Sequence, residues 1–276
     1  MLGLNIACQQ NFNAKDPISM GNMLDSPPCF YSVLRPMHMA NLLVIEAASD
    51  SCSIALQIDN RILERLETAP RMHSRLLYPM LNDLMAEAGI NPTQLDGVVF
   101  AQGPGSFTGL RIAAATAQGI GFACDIPLMG VSTLQAMATQ THSEQQSQQV
   151  ISIMDARMHE LYVGFYAWDE AQQLMLPQID DQLCPLHASL QQMKVPSSAT
   201  LVACGHGLKL REQLDQSVQD IAQQEPTQIL KARSLLPMAN HLFAQQQVIS
   251  PQQVELVYLR EQSHWKTIKQ QKQLKK

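Results

Sequence analysis

Apolar positions along the chain fall into short blocks whose spacing switches between two and about three and a half residues, which predicts strands alternating with helices. The first clear block is the strand-length run Leu42 to Ala47. A polar turn, Ser49 to Cys52, separates it from a second run, Ser53 to Asp59, which alternates and ends at Asp59-Asn60, so the pair predicts a hairpin. Leu77, Leu81, Leu84 and Ala88 then recur at i, i+4, i+7 and i+11 before Gly89, predicting a helix over 74–88. A strand over Gly97 to Ala101, a glycine loop over Gly103 to Gly109 and a second helix over Leu110 to Ala123 follow. That second helix carries Ala113, Ala114, Ala115, Ala117, Gly119 and Gly121, and is smooth enough for another element to pack closely on it.

A glutamine-rich linker, Glu144 to Gln149, precedes a second predicted hairpin: Val150 to Met154 and Glu160 to Trp168, turned by Asp155-Ala156-Arg157-Met158-His159. A strand over Thr200 to Cys204 runs into Gly205-His206-Gly207, and a helix spans about Leu235 to Gln246. Alternating strands and helices point to α/β layers, and two openings by a hairpin suggest a duplicated fold. The expected lobes are 39–143 and 150–266, followed by a lysine-bearing tail, 267–276. Residues 1–38 show neither periodicity and carry Pro17, Pro27, Pro28 and Pro36. They are either a disordered extension or the product of an upstream start, with Met39 as the true first residue.

Composition narrows the function classes. With 276 residues, 46% of them apolar, the chain can bury a sizeable core, and a net charge of -5 gives no protein-wide field to attract nucleic acid or an anionic membrane. No run approaches the length of a membrane span, and the N-terminus lacks the order of a secretion signal. Cys8, Cys29, Cys52, Cys124, Cys184 and Cys204 form no C-x-x-C pair and read as buried thiols in a reducing, cytoplasmic compartment.

Gly103-Pro104-Gly105-Ser106-Phe107-Thr108-Gly109 lies between a strand and a helix, where backbone N–H groups can hold phosphate. It is neither the dinucleotide fingerprint nor a Walker loop, so the alternative is a rigid turn that lets helix and strand approach. Arg111, in the first helical turn, would neutralise a phosphate or a partner's carboxylate, or form an internal salt bridge. Asp155 and Arg157 fit a turn better than catalysis. Ser106 lacks the glycine of a nucleophile elbow, and no His-Glu-x-x-His occurs, so peptidase chemistry has no constellation. Five lysines between Lys266 and Lys276 would touch an RNA backbone or simply be solvated.

Several segments, in order, resemble the TsaB (YeaZ) family: Leu42-Leu43-Val44-Ile45, Cys52-Ser53-Ile54-Ala55-Leu56, His73-Ser74 with Leu76-Leu77-Tyr78-Pro79, and above all Gly103 through Ile112. Gly130-Val131-Ser132-Thr133-Leu134, Asp155-Ala156-Arg157-Met158 and Val257-Tyr258-Leu259-Arg260 continue the match, which covers about residues 40–266. The resemblance implies a two-lobed actin-like fold, shared with sugar kinases and heat-shock-chaperone ATPases and built from duplicated ribonuclease H-like lobes. It also implies a non-catalytic subunit that binds and activates the catalytic paralogue TsaD, together with the ATPase TsaE, in making threonylcarbamoyladenosine beside the tRNA anticodon.

Two departures bear on chemistry. Thr133 and Met137 stand where TsaD-type proteins carry the metal-binding histidines, and a hydroxyl and a thioether are poor ligands for such a metal. Glu46-Ala47 replaces the Asp-Thr that usually ends the family's first strand; Glu46 would then bind a metal through water or simply face solvent. The resemblance therefore implies no cofactor of the chain's own, with ATP or ADP at the complex junction, where Glu46, Gly103, Pro104, Gly105, Ser106, Thr108, Arg111 and Gly205 are the candidates. Leu76, Leu77, Met80, Leu84, Ile112, Ala113, Thr116, Ala117 and Ile120 are the candidate docking contacts, on which the chain alone would homodimerise. An Arg or Glu at Ala113 or Ala117 is expected to break assembly and spare the fold. tRNA would be met indirectly, through the complex. The alternative is an ATPase or kinase of the actin-like fold using Glu46, Gly103, Gly105 and Gly205.

Overall fold

The computed structural model describes residues 39–68, 72–221 and 229–260; the expected N-terminal extension and lysine tail lie outside the described residues. The first hairpin forms as the pattern predicts, from β1 (Leu42–Glu46) and β2 (Ser51–Ile58), antiparallel with Val44 opposite Ala55. Every residue of β1 is buried, because it is the central strand: β4 (Gly97–Gly103) lies parallel on its other side, with Val44 opposite Val99. The sheet is completed by β3 (Arg61–Thr68) and β5 (Leu128–Ser132), in the order β3-β2-β1-β4-β5. β3 escaped the sequence pattern because it is an edge strand whose Arg61, Glu64, Arg65 and Glu67 blunt its free side.

α1 (His73–Ala88) packs Leu77, Leu81 and Leu84 on this sheet and stops at Gly89, whose φ of 70° supplies the left-handed cap. α2 (Phe107–Cys124) starts three residues before the expected Leu110, because Ser106 Oγ accepts from the Gly109 N–H and caps it. α3 (Thr133–Gln145) was not legible as a helix. Nine of its residues are buried, so it shows no amphipathic stripe. It takes Glu144 and Gln145 of the expected glutamine linker and β6 (Gln149–Arg157) takes Gln149, so only residues 146–148 connect the two.

β6 pairs antiparallel with β7 (Glu160–Asp169), as expected, through a tight turn in which Arg157, Met158 and His159 all have positive φ. β8 (Leu174–Pro177) and β9 (Gln182–Pro185) add to β7, and β10 (Leu201–Cys204) runs parallel to β6. The order β10-β6-β7-β8 repeats the β4-β1-β2-β3 part of the first sheet, with a hairpin followed by a strand parallel to its first member. This is the duplication that the two hairpins suggested. After the short α4 (Gln216–Ile221), the chain does not stay in the second lobe as expected. A 3-10 turn at Ala232–Leu235 and α5 (Leu236–Ala244) return to the first sheet, where Ala232 N donates to buried Ser53 Oγ at 2.9 Å. Ile249 then bridges to Leu128, and Val257 N donates to Gln102 O at 2.8 Å. Cys52, Cys184 and Cys204 are buried free thiols; Cys124 is not, because it sits in the exposed last turn of α2.

Candidate functional site

The glycine loop is shorter than its motif. Gly103 ends β4 and Phe107 opens α2, leaving Pro104, Gly105 and Ser106 between them. Its glycines serve close packing: a Cβ at Gly105 would lie 2.5 Å from Ala48 O, and one at Gly109 would lie 1.8 Å from Ala47 O. At Gly103, φ is 117° and a Cβ would meet Val257 O at 2.6 Å. Two of the amides that would cradle a phosphate are already taken, since Ser106 N donates to Ala48 O at 2.7 Å and Gly109 N to Ser106 Oγ. Thr108 and Arg111 are exposed beside the loop. The rigid-turn alternative is the one this geometry favours.

Glu46 is neither solvent-facing nor available to a hydrated metal. It is fully buried, Oε1 accepts from Ala48 N at 2.6 Å, and Oε2 has no partner among the described residues. Burial pushes its carboxyl up to about 8, against a smaller opposing effect of the Ala48 amide, so it is mostly protonated at neutral pH. Neighbouring Cys52 is raised to about 12, chiefly by burial and secondly by Glu46. Gly205, with φ of 107°, is packed beneath Met137 and Ile153, where a Cβ would meet Met137 Cε at 2.2 Å. Glu46, Gly103 and Gly205 are thus all closed off from solvent and form no shared open site.

A cleft of about 110 Å³ separates Ser49, Asp50 and Thr68 of the first lobe from Met154, His206 and Lys209 of the second. That is well below the roughly 300 Å³ at which ligand pockets usually begin. Burial, then Lys209, holds His206 below the usual imidazole range, and its Nδ1 accepts from Asp155 N at 3.4 Å. Thr133 and Met137 line the inner wall, both buried, with Thr133 Oγ1 lacking a partner among the described residues. No cluster of three His, Cys, Asp or Glu able to hold a metal occurs among the described residues.

The docking contacts chosen from the helices need correction. Leu77, Met80, Leu84, Ala113, Thr116 and Ala117 are buried inside this chain, and Leu76, Ile112 and Ile120 pack on the same core. Sequence alone could not assign phase to α2, because small residues cover both of its faces. The face left open runs through Ala115, Gly119 and Phe122, again at i, i+4 and i+7, with Phe122 54% exposed. On neighbouring α1, Tyr78 is 58% and Met72, its capping residue, 37% exposed. The aromatic residues opposite the leucine stripe were the signal available in the sequence.

A family model described as "TsaD: tRNA N6-adenosine threonylcarbamoyltransferase" matches residues 66–233. The tRNA threonylcarbamoyladenosine biosynthesis protein TsaB of Escherichia coli K12 is 30% identical over 235 residues, covering 82% of this chain and 97% of that protein. The chain belongs to the TsaB family. Its Haemophilus influenzae member is 29% identical over 84% of this chain and 98% of its own length. The solved structure of YeaZ from Pseudomonas aeruginosa, 32% identical, superposes with a TM-score of 0.74 over 80% of this chain and all of that one. With the TsaB family comes the two-lobed actin-like fold, which the paired sheet orders display directly.

Proposed function

We propose that this chain is the non-catalytic subunit of a complex that forms threonylcarbamoyladenosine in tRNA, working in the cytoplasm. It docks on a TsaD-type catalytic paralogue, with a TsaE-type ATPase as the further partner and tRNA reached through the assembly. Family membership supports the process, since the relatives are named for tRNA threonylcarbamoyladenosine biosynthesis. The observation that carries the subunit role is the open face of α1 and α2. Ala115 and Gly119 allow a helix to approach closely, and Tyr78 and Phe122 flank them as apolar anchors. Alone, the chain would cover this face with a second copy.

The cleft supports an accessory rather than a catalytic role. The side chains of Thr133 and Met137 fill its inner wall, and the carboxyl of Glu46 is sealed and protonated. No nucleotide site of the chain's own is proposed; ATP or ADP would bind at the junction with the partner. The actin-like ATPase alternative would need an open phosphate loop and a larger cleft.

Reconstitution tests the proposal, using the catalytic paralogue, the ATPase, an enzyme supplying the threonylcarbamoyl donor, ATP, threonine, bicarbonate and tRNA. Product that requires both this chain and the paralogue is the expected result. Product unaffected by omitting this chain would overturn it, and binding of ATP and magnesium by the isolated chain in calorimetry would favour the enzyme alternative.

A further inference from the structure

We infer that the cleft between the lobes is a binding site for a small α-amino acid with a hydroxyl on its side chain, of the size of threonine, its charged groups at the mouth and its side chain inward. The site is independent of the subunit role proposed above, since no residue of α1 or α2 lines it.

The charges at the mouth have opposite sign and come from opposite lobes. Asp50, in the turn between β1 and β2, and Lys209, in the 3-10 segment His206–Gln213, are both exposed, and both act on the His206 ring, Lys209 the more strongly. Neither has a hydrogen-bond or ion-pair partner among the described residues. A simple anion there would be repelled by Asp50 and a simple cation by Lys209, and a nucleotide needs far more than the cleft's volume of about 110 Å³. A molecule with one charge of each sign suits both walls, and an α-amino acid carries the two on a single carbon. His206 adds a third polar contact. Its Nδ1 accepts from Asp155 N at 3.4 Å, which leaves the ring proton on Nε2, a nitrogen without a partner among the described residues and ready to donate to a carboxylate beside Lys209.

The inner end selects the side chain. Met137 and Met154 are buried there, and with them Thr133, whose Oγ1 is sealed from solvent and has no partner among the described residues. An orphaned buried hydroxyl is costly, so a ligand that brings it a hydrogen bond gains affinity. A hydroxyl on the ligand's β-carbon supplies that bond, while a methyl on the same carbon packs against methionine. At roughly 30 Å³ for each water, the cleft takes several waters or one compact molecule in their place. The first-lobe wall is already fixed: His73 Nε2 lies 3.1 Å from both Ser49 O and Ser51 O, and Ser106 N donates to Ala48 O at 2.7 Å, so little ordering entropy is lost on binding.

The test is isothermal titration calorimetry of the isolated full chain with L-threonine, set beside L-valine, inorganic phosphate and AMP. Saturable binding of threonine is expected, weaker for its isostere valine, with phosphate and AMP inert. D50N and K209Q should each weaken threonine binding about tenfold, since each removes one charge-assisted contact. T133V should weaken threonine about fivefold and leave valine unchanged, erasing the preference for the hydroxyl. All three variants should keep the wild-type thermal midpoint to within a few degrees, because Asp50 and Lys209 are exposed and Thr133 Oγ1 has no partner to lose. No heat with threonine, or binding that none of the three variants changes, would overturn the inference. Binding of phosphate or AMP in place of the amino acid would overturn it as well, by showing an anion site. Formation of modified tRNA plays no part in this readout, so a negative result leaves the subunit reading standing.

Discussion

Glu46 sets up a stability profile that runs opposite to that of a paired carboxylate. Its pKa rises from 4.5 to about 8 on folding because burial removes the charge from water and only the Ala48 amide compensates. Below about pH 4.5 the carboxyl is protonated in both states and costs nothing. Between there and pH 8 the unfolded chain releases the proton while the folded chain holds it, so folding stability falls as pH rises, and it levels off above pH 8. A shift of that size corresponds to a loss on the order of 5 kcal/mol across the window. E46Q keeps the shape and the acceptor for Ala48 N but cannot ionise. Urea unfolding of both proteins at half-unit steps from pH 4.5 to 8.5 should give curves close together at the acid end, with the variant several kcal/mol more stable at pH 8. Parallel curves would refute the reasoning, since they would mean that Glu46 ionises equally in both states and is therefore solvated in the fold.

A115E should abolish co-purification with the catalytic partner while leaving the thermal midpoint within a few degrees of wild type, because position 115 is exposed. A113E should instead unfold the chain, at a cost of at least about 3 kcal/mol for an unpaired buried charge, seen as loss of the cooperative circular-dichroism transition. G109A should destabilise by about 2 to 4 kcal/mol in urea titrations, since its Cβ would lie 1.8 Å from Ala47 O, whereas G119A meets nothing within 4 Å and should stabilise by about 0.5 to 1 kcal/mol. S53A should cost about 1 to 3 kcal/mol by the same measure, because the buried Ala232 amide would lose its acceptor.

The sequence pattern revealed elements that have one wet face and one dry face. α1 announced itself by its leucines and closed at Gly89, and both hairpins were visible from their turns. What it missed were elements without that contrast: α3, buried almost all round, and β3, an edge strand whose charges look like loop. The site was legible in motif and misread in geometry. Ala113 and Ala117 read as an open docking face, but the same small side chains let α2 settle onto the sheet, and only the phase fixed by Leu110 and Gly121 turns Ala115 and Gly119 outward. Glu46 looked like a solvent-facing strand end because nothing local showed that Ala232 and α5 return from over a hundred residues away to pack against this sheet.

That return also bears on how a chain without a built catalytic centre can still act on a partner. The C-terminal segment packs on the first sheet through Ala232 and Ile249, covers the end of β4 at Gln102, and reaches the second lobe through Arg260 and Glu160. It therefore ties the two lobes together on the side where α2 begins. In a two-lobed fold whose cleft holds only about 110 Å³, such a strap favours one relative position of the lobes and so one shape of the α1 and α2 face. A partner that docks there meets a preorganised surface, and less ordering entropy is lost on binding than if the lobes moved freely. Replacing Arg260 by Ala should therefore weaken partner binding without touching the interface, through faster dissociation, while leaving the α1 and α2 contacts chemically unchanged. Surface plasmon resonance on immobilised partner checks this: an unchanged dissociation rate for R260A would show that the strap does not set the docking geometry.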